Sequence, residues 1–242
     1  MSNDIEAMQQ NFGNIQDMRK PYRHDSDIFD IKDLVSRDPI TQFDCWFQEA
    51  CKQPDIKEPN AIALATASRS GKPSVRMVLL KGFCKEGFKI FTNFDSRKGK
   101  ELEENPLCSV CIHWEPLNRS VRIEGKVIRL SQEESCKYFN ARPRSSQLGA
   151  IVSNQSTIIP NREYLMNKFS ELEKKYENES IIPKPDFWGG YLIEPDVIEF
   201  WQGQTTRLHD RLRFRKKGPN EVFNPEFTHE GEDGWVIERL SP

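Results

Sequence analysis

The chain has 242 residues, 36% of them hydrophobic and 30% charged, with a formal net charge of −2. That length suits one large domain with a real core, and the near-neutral balance offers no bulk attraction for nucleic acid or an anionic membrane. No apolar run approaches the roughly 20 residues that span a bilayer, and the acidic start Met1-Ser2-Asn3-Asp4-Ile5-Glu6 has no apolar signal core, which points to a cytoplasmic protein.

Residues 1–25 are polar and aperiodic and read as a mobile N-terminal segment; residues 26–242 read as a single domain. Ile40, Phe43, Trp46, Phe47 and Ala50 recur every three or four residues, which predicts an amphipathic helix over 38–52. Strands follow at 61–67, 74–81 and 87–93, joined by short loops that favour antiparallel hairpins. Asp95-Ser96 can cap a helix over 97–104, which ends before Pro106. Strands at about 107–114 and 119–130 precede a Ser131-x-x-Glu134 capping box, whose helix ends near Arg142-Pro143. Residues 145–152 and 161–178 read as further helices, the second with Leu165, Phe169, Leu172 and Tyr176 on one face. Strands at 188–201, 206–216 and 234–239 complete the chain, with 217–231 as a loop. Strict β-α-β alternation is missing and so is a G-x-G-x-x-G turn, so a doubly wound fold is disfavoured. An antiparallel β-barrel with peripheral helices, mainly β within the α+β class, fits better.

Six cysteines are present, and Cys108 and Cys111 have the C-x-x-C spacing. They fall on a predicted strand, where residues three apart face opposite sides, and no second pair completes a zinc site. No metal is expected; the thiols read as buried, reduced cysteines of a reducing compartment.

Four clusters can carry chemistry. Arg207, His209 and Arg211 would share one face of the predicted strand 206–216, beside Trp201, an arrangement that suits a flat phosphorylated ligand. Arg76 and Lys81 would bracket an apolar strand on opposite faces. Arg97 and Lys98 stand at a helix N-terminus, where cations are unfavourable unless an anion compensates them. Tyr138 and Arg142, four apart, share a helix face near Ser146. Several phosphate-grade clusters without a metal or dinucleotide motif suggest a mononucleotide cofactor and a phosphorylated substrate.

These residues lie within a series of segments that resembles the pyridoxine (pyridoxamine) 5′-phosphate oxidase family. The series comprises Arg76-Met-Val-Leu-Leu-Lys81, Phe91-Thr-Asn93, Ser96-Arg-Lys98, Glu124-Gly125, Tyr138-Phe-Asn-Ala-Arg-Pro143 and Ser146-Gln-Leu-Gly149. It continues through Gln155-Ser156, Phe187-Trp-Gly-Gly190, Glu199-Phe-Trp-Gln-Gly203, Arg207-Leu-His-Asp-Arg211 and Glu238-Arg-Leu-Ser-Pro242. The resemblance runs from about residue 19 to the end. It implies a split β-barrel homodimer with FMN at the subunit interface. It also implies oxidation of pyridoxine 5′-phosphate or pyridoxamine 5′-phosphate to pyridoxal 5′-phosphate, with O2 reduced to H2O2.

Carried over residue by residue, the resemblance gives FMN to Arg76, Met77, Val78, Leu79, Phe91, Thr92, Arg97, Lys98, Gln155, Ser156, Trp201 and Arg211. It gives the substrate to Lys81, Tyr138, Arg142 and Ser146, with Arg207 and His209 over the pyridine ring as the catalytic pair. Arg19 and Tyr22 belong to a segment that closes over the substrate in relatives. Ser120 departs from the family pattern, which has a Gln in contact with FMN; a serine is too short for that contact, so a weaker or water-bridged one is expected. Pro21 departs as well. The alternative is a non-catalytic split-barrel carrier of FMN or pyridoxal phosphate, and retention of Arg207 with His209 favours the enzyme. A flavin reductase or haem-handling protein of the same fold would need a nicotinamide or haem site, for which the sequence has no feature.

Overall fold

Alternating burial organises the strands of this protein, whose computed structural model describes residues 28–242. Strand β1, Ala61–Ala67, turns Ile62, Leu64 and Thr66 inward and leaves its alanines outward. It pairs antiparallel with β2, Pro73–Leu79, on one side and with β5, Leu107–Trp114, on the other. β5 pairs with β6, Arg119–Arg129, and β6 with the long β7, Trp188–Gln202. The other edge of β7 is shared. Trp188 to Ile193 pair with β4, Gly87–Asn93, whereas Val197 to Gln202 pair with β8, Asp210–Lys216. β10, Trp235–Arg239, and the short β9, Thr228–Glu230, extend the β8 side. This divergence along β7 splits the sheet. A bulge between Glu124 and Gly125 helps it bend, and Gly125 is needed there because a Cβ would stand 2.1 Å from the Glu194 carbonyl oxygen.

The inward rows meet helix α1, Pro39–Cys51, whose Phe43 and Trp46 are buried against Phe88, Trp114 and Phe200. Asp38 caps α1 through the Thr41 amide, and Pro39 fits the first turn, where no amide proton is needed. A second, smaller core gathers Phe139, Leu148, Ile182 and Trp188. It lies under α3, Gln132–Ala141, α4, Arg144–Val152, and α5, Arg162–Tyr176, with Phe169, Leu172 and Tyr176 packed against it. The protein is an antiparallel split barrel with peripheral helices, as expected.

Three expectations need correction. The strand predicted over 74–81 ends at Leu79: the Leu80 amide turns to the Asn60 carbonyl and the Lys81 amide to the Lys89 carbonyl, feeding a short β3, Gly82–Cys84. The loop predicted over 217–231 contains β9, which pairs with β10. The strand predicted over 206–216 starts only at Asp210. Arg207 has φ of 70°, a left-handed conformation, and its amide closes a turn onto the Gln204 carbonyl. The N-terminal segment over 1–25, expected from its sequence to be mobile, lies outside the described residues, and so do Arg19, Pro21 and Tyr22. Among the described residues no helix is long and apolar enough to cross a membrane.

Candidate active site

A cavity of about 800 Å³ opens between β2, the end of β4, the first turn of helix α2 (Arg97–Glu104), and α3 with α4. Its lining includes Arg76, Met77, Val78, Leu79 and Lys81 from the β2 side. Consecutive residues reach it because β2 is an edge strand and the cavity runs along that edge. Arg76 and Lys81, expected on opposite faces, both line it, since the chain leaves β2 after Leu79 and the alternation lapses.

One end is cationic. Ser96 caps α2 through the Gly99 amide, and Gly99 lets the helix start against the preceding turn, where a Cβ would come within 2.1 Å of the Phe94 carbonyl oxygen. This places Arg97 and Lys98 at the cavity wall. The buried Lys98 ammonium donates to Thr92 Oγ1 (3.1 Å), Ser96 Oγ (3.2 Å) and Gln155 Oε1 (2.7 Å). Burial, reinforced by the Arg76 charge, pushes its pKa down to about 8. Ser156, with a left-handed φ of 72°, follows Gln155 in the same wall. Behind the wall, Glu101 accepts from Arg97 Nε (2.8 Å) and Arg76 Nη2 (3.2 Å).

The other end is aromatic. Phe91 and Tyr138 lie 4.1 Å apart between ring centroids, and Trp188 stacks on Phe91 at 5.6 Å. The Arg142 guanidinium sits 4.8 Å from the Trp188 ring centroid. Its Nη1 is buried and has no hydrogen-bond partner among the described residues, and burial lowers its pKa. Ser146 lines the same end.

The remaining predicted residues lie elsewhere on this chain. Trp201 and Arg211 line a separate cleft with Ser120, Cys111 and His113; His209 lines another with Arg239 and the C-terminus. The expected Arg207–His209–Arg211 row on one strand face does not exist, because only Arg211 belongs to β8. The physical cause is Asp210. Its buried carboxylate accepts from the Phe29 amide (3.0 Å), Gln204 Nε2 (2.8 Å) and Arg239 Nη1 (2.8 Å), which folds 203–209 into a turn and leaves Arg207 exposed. His209 packs on Trp201 at 4.8 Å between centroids, and its Nδ1 accepts the Gln204 amide proton at 3.0 Å. Arg211 donates to Glu199 Oε1 (2.7 Å) and to the Ser241 carbonyl (2.8 Å).

Trp188, Asn93 and Glu101 were not singled out individually as site residues from the sequence. Trp188 stood inside the Phe187-Trp-Gly-Gly190 segment. Glu101, four residues after Arg97 on one helix, carried an ion-pair signal. Cys108 and Cys111 face opposite sides of β5 as expected, but the expected burial holds for Cys108 alone: Cys51 and Cys111 are exposed and Cys45, Cys84 and Cys136 are half-buried, since Cys111 lies on the outward row of β5.

These walls suit a flat aromatic molecule bearing phosphate. Lys98 is a buried ammonium held by neutral oxygens, and Arg142 keeps an unused buried donor; a phosphate oxygen would satisfy either. The edge of β2, with Val75 and Met77 exposed, offers apolar surface and backbone groups to a planar ring.

Comparison with known proteins gives a consistent picture. The sequence model of the family described as pyridoxamine 5′-phosphate oxidase matches residues 47–176, and that of the pyridoxine 5′-phosphate oxidase C-terminal dimerisation region matches residues 188–242. A pyridoxine-5′-phosphate oxidase of Bos taurus is 56% identical over 227 residues, covering 93% of this chain and 86% of the relative. A pyridoxine/pyridoxamine 5′-phosphate oxidase of Bombyx mori is 51% identical over 226 residues, covering 93% and 88%. Among solved structures, PhzG of Burkholderia lata 383 superposes with a TM-score of 0.78 at 28% identity, covering 90% of this chain and all 100% of that one. A pyridoxamine 5′-phosphate oxidase-related, FMN-binding protein of Nostoc punctiforme shares the fold, with a TM-score of 0.59 at 14% identity and coverage of 82% and 96%.

Proposed function

Because this chain belongs to the pyridoxamine 5′-phosphate oxidase family, we propose that it oxidises pyridoxine and pyridoxamine 5′-phosphates to pyridoxal 5′-phosphate, with FMN as its flavin and O2 as the acceptor. The observation that carries the reading is the single cavity with a cationic end at Arg97 and Lys98 and an aromatic, arginine-bearing end at Tyr138 and Arg142. The first end suits the FMN phosphate and the second the substrate phosphate. Arg76 to Leu79, Phe91, Thr92, Gln155 and Ser156 would hold the rest of the flavin, and Lys81 and Ser146 would add to the substrate end.

Trp201, Arg207, His209 and Arg211 fall in the stretch that matches the dimerisation region, and we assign them to the cavity of a second copy. The outward face of β1 supports such an assembly. It carries only alanines, flanked by exposed Val75, Met77 and Leu107. One cavity would then draw its phosphate sites from one chain and its catalytic pair from the other.

The flavin, when bound, supplies the two-electron acceptor. The protein binds, orients and excludes water. Phosphate anchoring at Arg142 fixes the distance of the substrate's 4′ carbon, which is why an unphosphorylated vitamer should react poorly. Arg207 orients the pyridine ring. With Nδ1 already accepting from Gln204, neutral His209 keeps its proton on Nε2 and acts as a donor, so the substrate's hydroxyl or ammonium proton leaves to water. The substrate gives up a hydride from its 4′ carbon and a proton from its hydroxyl or amino group, and these two electrons and two protons reduce O2 to H2O2; the amine substrate also takes up water and releases ammonia. We place the enzyme in the cytosol, consistent with its free thiols.

Purified protein is expected to be yellow and to consume O2 with pyridoxine phosphate. A colourless protein that gains no activity on adding FMN would overturn the reading.

A further inference from the structure

We propose that Glu101 is a positioning residue for phosphate recognition, one that aims Arg76 and Arg97 into the cavity; this rests on reading the cationic end as the flavin phosphate site. Glu101 is only 8% exposed although it is a carboxylate on a short surface helix. Burial alone would raise its pKa, yet the net shift is downward, because Thr66 and Arg97 donate to it and both arginine charges face it. It is therefore an anion at neutral pH. One oxygen takes Arg97 Nε at 2.8 Å; the other takes Arg76 Nη2 at 3.2 Å and the Thr66 hydroxyl.

The geometry divides each guanidinium. Arg97 spends Nε on Glu101, and the ends of its fork remain for the cavity it lines. Arg76 is held on several sides: Nη1 donates to the Leu64 carbonyl (3.0 Å) and Thr66 Oγ1 (2.6 Å), and Nη2 donates to Ser74 Oγ (2.8 Å) besides Glu101. Without the carboxylate, Arg97 would lose its anchor, Arg76 would keep only its neutral partners, and both would repel Lys98 and each other in one wall. Glu101 offsets that repulsion while the site is empty and fixes the side-chain directions in advance, so less conformational freedom is lost on binding.

Simple electrostatics predicts the opposite result from positioning, and that makes the idea testable. Removing a negative charge from a phosphate site should tighten phosphate binding by Coulomb attraction. Loss of positioning should weaken it.

The experiment compares FMN with riboflavin, which lacks the phosphate, on the apoprotein of wild type and Glu101→Gln. Wild type is expected to prefer FMN strongly. Glu101→Gln is expected to lose roughly tenfold or more in FMN affinity, the scale of a charged hydrogen-bond contact, with riboflavin affinity unchanged. Unchanged riboflavin binding also reports that the variant is folded. In an Arg97→Ala background the effect of Glu101→Gln should shrink, because the interaction partner is gone. At saturating FMN, kcat should be restored. An unaltered FMN-to-riboflavin ratio, or tighter FMN binding, in Glu101→Gln would overturn the role of Glu101. If wild type itself failed to prefer FMN, the phosphate-site reading would be the part that fails. Should Glu101→Gln not fold, Glu101→Asp, which keeps the charge but shortens the reach, is expected to show the same loss selective for FMN; an unchanged ratio there would sink the proposal equally.

Discussion

The backbone amide of Gln204 donates to Nδ1 of His209 at 3.0 Å. The bond selects the neutral tautomer with its proton on Nε2, and it breaks if Nδ1 is protonated. Burial, then the Arg207 charge, lowers the pKa of this imidazole below its ordinary value, and nearby Asp210 only partly opposes them. Its neutral form is thus favoured at pH 7. As the pH falls through the lowered pKa, the ring gains a second proton, loses the Gln204 bond and changes its orientation. Activity that depends on His209 should therefore hold from neutral pH down past 6.5 and fall only below it. A kcat/KM profile with an acid limb that disappears in His209→Ala is expected, with kcat reduced about 10²-fold in that variant. An acid limb centred above 6.5 and due to His209 would contradict the assignment.

Arg207 stands one turn away in a left-handed conformation, exposed to solvent. A non-glycine residue held at positive φ costs about 1 kcal/mol, and here the Asp210 contacts maintain it. In the proposed assembly its guanidinium reaches over the substrate and not the flavin. Arg207→Ala should keep the flavin-to-protein absorbance ratio of wild type while kcat/KM falls by about 10²-fold. Loss of flavin in this variant would move Arg207 to the cofactor.

The same stretch shows what the sequence could and could not convey. Local patterns were sufficient where local forces decide. The β1 strand over 61–67, the Ser96 cap of α2 and the three-to-four spacing of α1 all lie where they were read. Residues 206–209 failed because their conformation is set by Asp210 through Phe29 and Arg239, 181 and 29 positions away. The lapse of alternation after Leu79 is likewise a product of long-range pairing, Lys81 with Lys89. Short motifs and their order identified the cavity residues. The separation of Trp201, Arg211 and His209 from that cavity became visible only in three dimensions, and so did the tie between Glu101 and Arg76, which are 25 positions apart.

Lys98 gives the cationic end a pH signature. Its pKa in the ligand-free site is about 8, depressed first by burial and then by Arg76. A bound phosphate dianion favours the charged form and raises that pKa. Below pH 8 the ammonium is protonated both free and bound, so the Kd for FMN should be flat. Above pH 8 the free site has lost the proton and binding must recapture it, so Kd should rise, by up to tenfold per pH unit, until the raised pKa is reached. Titrations between pH 7 and 9.5 check the expectation. Lys98→Arg, charged throughout, should flatten the curve; a wild-type Kd constant to pH 9 would contradict the account.

Arg142 marks the end of the cavity proposed for the substrate. Its Nη1 is buried without a partner among the described residues, and its guanidinium is held 4.8 Å from the Trp188 ring centroid. An unmet buried donor costs about 1–3 kcal/mol, and a substrate phosphate would remove that cost while gaining a charge-assisted bond. Arg142→Ala should therefore raise KM for pyridoxine 5′-phosphate by roughly tenfold to a hundredfold and leave flavin content unchanged. The apoprotein should lose little stability, because the deleted group was not hydrogen-bonded at that atom. Trp188→Leu would remove the ring that orients the guanidinium, so it should raise the same KM by a smaller factor. If Arg142→Ala altered FMN affinity as strongly as KM, the two ends of the cavity would not be the separate phosphate sites proposed.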